Sequence, residues 1–140
     1  MAWLLTHNRK IHMTEIPLKL IIAIMMVESS VQEDAQGDNG AAYGCLQIQE
    51  ICVDDVNRII GEDRYVHEDA FDVVKSIEML RIYLGHYCKP SRFDTLPTWK
   101  DAARIWNGGP TGHLKTSTEQ YWQKVKSKLL SLGSQGVGYL

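Results

Sequence analysis

A run of ten residues, Leu18-Lys19-Leu20-Ile21-Ile22-Ala23-Ile24-Met25-Met26-Val27, is apolar at every position but Lys19 and ends on a carboxylate, Glu28. The run is too short to span a bilayer, which takes about 20 residues, so its surface belongs in a protein core. Read as a helix, Leu18, Ile21, Met25 and Glu28 follow the spacing of one face, and the acid continues a stripe of buried side chains. Burial and the negative end of the helix dipole both disfavour the ionised form. Both push the Glu28 pKa up, toward what a general acid needs near neutrality. The plainer alternative is a carboxylate that reaches solvent, or caps a backbone amide where the helix ends.

With 140 residues, 44% of them hydrophobic and 23% charged, the chain is expected to form one domain with a core large enough to be stable without cross-links. A formal net charge of −2 with scattered Lys and Arg argues against a nucleic-acid partner, which calls for a basic face. Lys124, Lys126 and Lys128 alternate with apolar or small residues and read as a solvated helix face. Cys45, Cys52 and Cys88 form no C-x-x-C pair, and an odd count does not suit a disulfide framework. No close ligand spacing joins them to His67, His86 or His113, so no metal is expected and the default is small buried thiols. No secretory signal is apparent, because the apolar run Ala2–Leu5 is too short. A soluble monomer made in the cytoplasm, without stable membrane insertion, is the expectation.

Thr14 can cap a helix that holds Pro17 in its first turn and runs to about Glu28. From Ser29 to Tyr43 the composition turns to Asp34, Gly37, Asp38, Asn39 and Gly40, which predicts a surface loop or small hairpin returning through Tyr43 to Ile48. Ile51, Val53, Val56, Ile59 and Ile60 predict a short helix stopped by Gly61. Phe71, Val74, Ile77, Leu80, Leu84 and Tyr87 predict the longest amphipathic helix over about 68–87. Further helices are expected over 99–106, ending at Gly108-Gly109-Pro110, and over 118–130, where Tyr121, Val125 and Leu129 align every fourth residue. The tail from Gly133 reads as loose.

Chemistry gathers in three further segments. Gly37-Asp38-Asn39-Gly40-Ala41-Ala42-Tyr43-Gly44-Cys45-Leu46-Gln47-Ile48 combines permissive glycines with one acid and one amide, and lacks the Gly-Lys-Ser/Thr ending of a nucleotide loop. If 45–48 is extended, Cys45 and Gln47 point one way and Leu46 and Ile48 the other, and the Gln47 amide suits sugar hydroxyl or acetamido groups. Trp106-Asn107-Gly108-Gly109 puts an aromatic and an amide at a helix terminus, where a simple helix stop is the bland reading. Tyr121 alone reads as core.

Taken together, these segments resemble the lysozyme-like superfamily that contains the soluble lytic transglycosylases and goose-type lysozymes. Glu28-Ser29 is similar to its Glu-Ser motif, Gly44-Cys45-Leu46-Gln47-Ile48 to its Gly-Leu-Met-Gln-Ile segment, and Trp106-Asn107-Gly108-Gly109 to its Ala-Tyr-Asn-x-Gly segment. Thr118-Glu119-Gln120-Tyr121-Trp122-Gln123-Lys124-Val125 resembles its closing Thr-x-x-Tyr-Val-x-x-Val helix. Two departures stand out: Cys45 replaces Leu, and Trp106 replaces Tyr, which removes a hydroxyl but keeps an apolar stacking surface.

The resemblance implies a mainly α, α+β lysozyme-like fold, with a small hairpin or loop lining the cleft. It also implies cleavage of the β-1,4 bond between N-acetylmuramic acid and N-acetylglucosamine in bacterial peptidoglycan, with no cofactor. Glu28 would be the acid, Gln47 and Asn107 would contact the sugar, and Tyr121 would orient Glu28. Asp38 matches the goose-type position that holds an attacking water, or merely closes an Asx turn; Asp34 is a poorer candidate. Tyr43 is expected as a stacking surface at the cleft edge. The same motifs on a catalytically silent wall-binding module are the competing class. A phage lysis protein, or a bacterial enzyme released by another route, would fit the absent signal.

Overall fold

The computed structural model describes residues 16–133. Its five α-helices are α1 (Leu18–Ser29), α2 (Glu50–Ile60), α3 (Val73–Tyr87), α4 (Trp99–Gly108) and α5 (Glu119–Ser131). Between α1 and α2 lie three two-residue strands, β1 (Gln36–Gly37), β2 (Ala42–Tyr43) and β3 (Ile48–Gln49), forming an antiparallel sheet in that order. Gln36 faces Tyr43 across the first pair, and Tyr43 faces Ile48 across the second. The fold is mainly α with a small sheet, as the resemblance implied.

Helix α1 starts at Leu18, past the proline expected inside its first turn: Pro17, extended at φ −63° and ψ 139°, is the N-cap. Thr14, the expected cap, lies outside the described residues. The helix is buried on more than one side, through Leu20, Ile21, Ala23, Ile24 and Met25, while Leu18 is 52% exposed and drops out of the expected stripe. An apolar run with so few polar breaks does not select a single face, and packing against α5 decides which positions are covered. The helix closes through Ser30 at φ 55°, whose amide donates to the carbonyls of Met25 and Met26.

Two helix boundaries have local causes. The long amphipathic segment expected from residue 68 is a 3₁₀ turn over His67–Phe71 followed by α3. Asp72 separates them by accepting a hydrogen bond from the Lys75 amide, which caps α3 in a new register. The buried face is therefore Ser76, Met79, Leu80, Tyr83 and Leu84, and Val74 is exposed. Helix α4 opens on a reciprocal capping box between Thr98 and Asp101.

Gly44-Cys45-Leu46-Gln47 is a turn between β2 and β3 rather than an extended stretch, with Gly44 at φ 79° and Gln47 at φ 50°. The expected two-sided alternation fails for that reason. Cys45, Leu46 and Ile48 are all buried, and Gln47 alone of the four is half-buried. Removing Leu46 and Ile48 from water stabilises the hairpin's seat by about 1.5–3 kcal/mol each. The core continues as one cluster through α1, α3, α4 and α5, with Ile24, Leu80, Leu84, Ile105 and Leu129 fully covered. Buried Arg104 of α4 ties the segment before α5 to this body, donating to Thr118 Oγ1 and to the Lys115 carbonyl.

Candidate functional site

A cleft of about 830 Å³ runs between the hairpin, α2 and the C-terminal end of α4. Glu28, Asp38, Gln47, Trp106 and Asn107 all line it. Glu28 and Asn107, far apart in sequence, thus face one space, because the end of α1, the β2–β3 turn and the end of α4 converge there.

Glu28 is half-buried on the last turn of α1, and its Oε2 accepts a hydrogen bond of 3.2 Å from the Tyr121 hydroxyl. Its pKa is pushed up to about 7. Burial is the main cause, the hydrogen bond from Tyr121 works against it, and the charge of Asp38 adds to it. Tyr121 is itself 8% exposed and lies against the carboxylate rather than in the cleft lining. Its phenol is pushed upward by burial and then by Glu28, so it remains a donor.

These causes predict two opposite shifts. Asp38→Asn removes a charge that raises the Glu28 pKa and should lower it, whereas Tyr121→Phe removes a bond to the carboxylate and should raise it. Carbon-13 NMR titration of the Glu28 carboxyl reads both directly, and shifts of equal sign would contradict the geometry.

Asp38 is exposed and lies in the left-handed region at φ 51°, followed by Asn39 at φ 57°. Both residue types tolerate that conformation. Asp38 Oδ2 accepts a 2.8 Å hydrogen bond from Gln49 Nε2, across the sheet. Turn geometry and a place in the cleft therefore coexist at this residue. Asp34 is exposed and lies outside the cleft lining.

Gln47 reaches the cleft differently from expectation. Its Nε2 donates to the carbonyls of Gly44 at 2.9 Å and Ala35 at 3.3 Å, so both amide hydrogens hold the hairpin together. Its Oε1 packs where a side chain at position 37 would stand, which is why Gly37 is there. What Gln47 can offer a ligand is one acceptor oxygen. Asn107 is exposed, and its side chain has no hydrogen bond among the described residues, so the whole amide is free for a ligand.

Tyr43 does not line the cleft. Its ring stacks on His67 at 3.7 Å and on Phe71 at 4.5 Å, while His67 Nε2 lies 2.7 Å from the Ile48 carbonyl oxygen. The aromatic surface meant for a sugar is spent on packing the hairpin against the 3₁₀ turn. Missed by the sequence reading were Gln49 and the α2 face of Ile51, Asp54, Asp55 and Arg58, together with Tyr83 of α3. The signal was present in part, since residues 51, 54, 55 and 58 share one side of a helix. Ile51, one of the apolar positions that marked this helix, is 75% exposed.

Cys45 and Cys88 are buried and Cys52 is half-buried, all three as free thiols. Among the described residues, no cluster of His, Cys, Asp or Glu side chains is arranged to hold a metal ion. No helix among them is long and apolar enough to cross a membrane.

A family model, the transglycosylase SLT domain, matches residues 6–129. The chain belongs to that family. An SLT domain carries a lytic transglycosylase or lysozyme-like, peptidoglycan-related function, in keeping with the order of motifs from Glu28-Ser29 to the Tyr121 helix. One solved chain similar to this SLT domain comes from the crystal structure of Aeromonas hydrophila PliI in complex with Meretrix lusoria lysozyme. The likeness covers 85% of this chain and 93% of that one, at 23% identity and a TM-score of 0.66, and it shows the fold alone. No curated protein matches this chain.

Proposed function

We propose that this SLT domain cleaves the β-1,4 bond between N-acetylmuramic acid and N-acetylglucosamine in peptidoglycan, with Glu28 as general acid. The observation that supports this most is a half-buried carboxyl at the cleft, held by Tyr121 and with its pKa raised to about 7, so that it can carry a proton at neutral pH. Proton transfer to the bridging oxygen lets the glycosidic bond break as the substrate's acetamido oxygen assists at the anomeric carbon. The muramic 6-hydroxyl then attacks that carbon and returns its proton to Glu28, giving a 1,6-anhydro end and regenerating the acid. This route needs no second enzymic carboxylate.

Asp38 supports a second reading, hydrolysis. It lines the same cleft, its charge acts on Glu28, and only one of its oxygens is held by Gln49. An acid on one side of the bond and a base activating water on the other is the arrangement of inverting glycosidases. Mass spectrometry of muropeptides separates the two, because the anhydro product is lighter than a reducing end by one water. Asp38→Asn should leave most of the activity if the products are anhydro, and abolish it if they are hydrolysed. Products unchanged from a buffer blank with the parent protein would remove both readings and leave a wall-binding module. The proposed place of action is the cell wall.

A further inference from the structure

Arg104 is a buried cation that the chemistry above does not use. Its side chain, on α4, is 10% exposed and does not line the cleft. Nε donates to Thr118 Oγ1 at 2.8 Å and Nη2 to the Lys115 carbonyl at 2.6 Å, while Nη1 lies 3.3 Å from a Glu119 carboxylate oxygen that Lys100 also reaches. Burying a charge is costly, and an apolar side chain of similar volume often serves a core as well or better. The best-attested use of a charge kept in such a place is to fix one arrangement of the parts it joins.

All of these partners lie at the start of α5 or just before it. Thr118 is the N-cap of that helix, yet its hydroxyl makes no cap bond. It receives Arg104 instead and lies 2.7 and 2.9 Å from the carbonyls of Gly112 and Lys115. The start of α5 is thus held by α4 rather than by its own cap. The seat is close, because a Cβ at Gly112 would overlap the backbone carbonyl of Arg104. Tyr121 stands three residues beyond Thr118, in the first turn of α5, and is 8% exposed. With so little room to turn on its own, its ring follows the backbone that carries it.

The far end of this chain of contacts is the acid. The Tyr121 hydroxyl donates to Glu28 Oε2 at 3.2 Å, longer than the roughly 2.7–2.8 Å usual between two oxygens, so a small displacement of α5 is enough to break the bond. Two titratable groups act on Glu28, Tyr121 from α5 and Asp38 from the hairpin. Tyr121 is the one carried by a segment that Arg104 holds.

We propose that Arg104 is a positioning residue for the acid: by clamping Thr118, Lys115 and Glu119 it sets where α5 begins, and so how far the Tyr121 hydroxyl stands from the Glu28 carboxyl. The proposal deepens the reading of Glu28 as proton donor and rests on it for any effect on cleavage. Its geometric part, from Arg104 to the carboxyl, stands apart from that reading.

The test titrates the Glu28 carboxyl by carbon-13 NMR in full-length protein carrying Arg104→Lys, with Tyr or Phe at position 121, beside the pH profile of muropeptide release. Lys keeps the charge but not the fork that reaches three partners at once. With Tyr121 present, the Glu28 pKa should rise toward its value in Tyr121→Phe without passing it. The alkaline limb of activity should move up with it, because a general acid acts while protonated. With Phe at position 121, Arg104→Lys should add no further shift. No shift with Tyr121 present, a downward one, or an equal shift in both backgrounds overturns the proposal, the last because a general loosening of the fold would not need the tyrosine. Should Arg104→Lys not fold, Glu119→Ala carries the same comparison from a side chain that is 44% exposed. Losing its negative charge by itself lowers the Glu28 pKa, so a rise that disappears with Phe at position 121 upholds the clamp, and any other result overturns it. If the carboxyl shifts while the activity profile stays still, the clamp is upheld and Glu28 fails as the acid.

Discussion

Replacing Glu28 with Gln should remove cleavage while making the folded protein more stable above neutral pH. Loss of a general acid costs on the order of 10²- to 10⁴-fold in rate, which would show as the disappearance of muropeptide release. The stability effect has the opposite sign, and it follows from the same burial. The Glu28 pKa is about 7 in the fold against an ordinary value of 4.5, so between those pH values the native state holds a proton that the unfolded chain has lost. Stability therefore falls as pH rises through this window, and the ionised carboxylate costs on the order of 3 kcal/mol above it. Gln carries no such cost. Urea denaturation of the two proteins should agree near pH 4 and diverge by pH 8 in favour of the variant. Loss of activity together with equal or lower stability at pH 8 would mean that the carboxylate is not desolvated as the structure has it.

Gly44→Ala should be the most damaging single methyl in the hairpin. At φ 79° the backbone is left-handed, which costs a residue with a Cβ about 1–2 kcal/mol. The added carbon would also overlap the Ala70 carbonyl, a backbone atom in the 3₁₀ turn that cannot rotate away. Together these predict a loss on the order of 3 kcal/mol, read as a drop in the urea midpoint. Because Gly44 accepts from the Gln47 amide and donates to the Ala35 carbonyl, the hairpin carrying Asp38 should loosen with it. Gly40→Ala makes the contrast: φ is 88°, but the space around it is open, so only the conformational part should be lost. Equal losses at the two sites would show that Ala70 can give way.

Much of this cleft was legible because the motif residues are spaced by helix and turn geometry. Glu28 continues a line that keeps buried Ile21 and Met25 but loses Leu18, and Trp106-Asn107 lies in the last turn of a helix that closes through Gly108 and Gly109. Sequence failed where one residue type has two equally good occupations. Tyr43 can stack on a sugar or on His67, and the choice was made by a 3₁₀ turn that its own segment does not encode. The Gln47 amide can read a ligand or a backbone carbonyl, and a turn in place of an extended strand brought the carbonyls of Ala35 and Gly44 within its reach. Tyr83 was invisible because α3 restarts after Asp72, which rotates its buried face away from the expected Phe71–Val74–Ile77 series.

Ser29, next to the acid, sends its hydroxyl 2.7 Å to the Cys45 carbonyl in the β2–β3 turn, while also bonding the Met25 carbonyl and receiving the Gln32 amide. A single oxygen thus rivets the end of α1 to the neighbouring hairpin, and Glu28 and Asp38 belong to one mechanical piece. Across the cleft the Trp106–Pro110 lip is held by other ties, Arg92 donating to the Pro110 carbonyl at 3.0 Å and Lys115 to that of Gly108. The separation of the two acids is thus set on one side of the cleft, by a fastening that the opposite lip does not share.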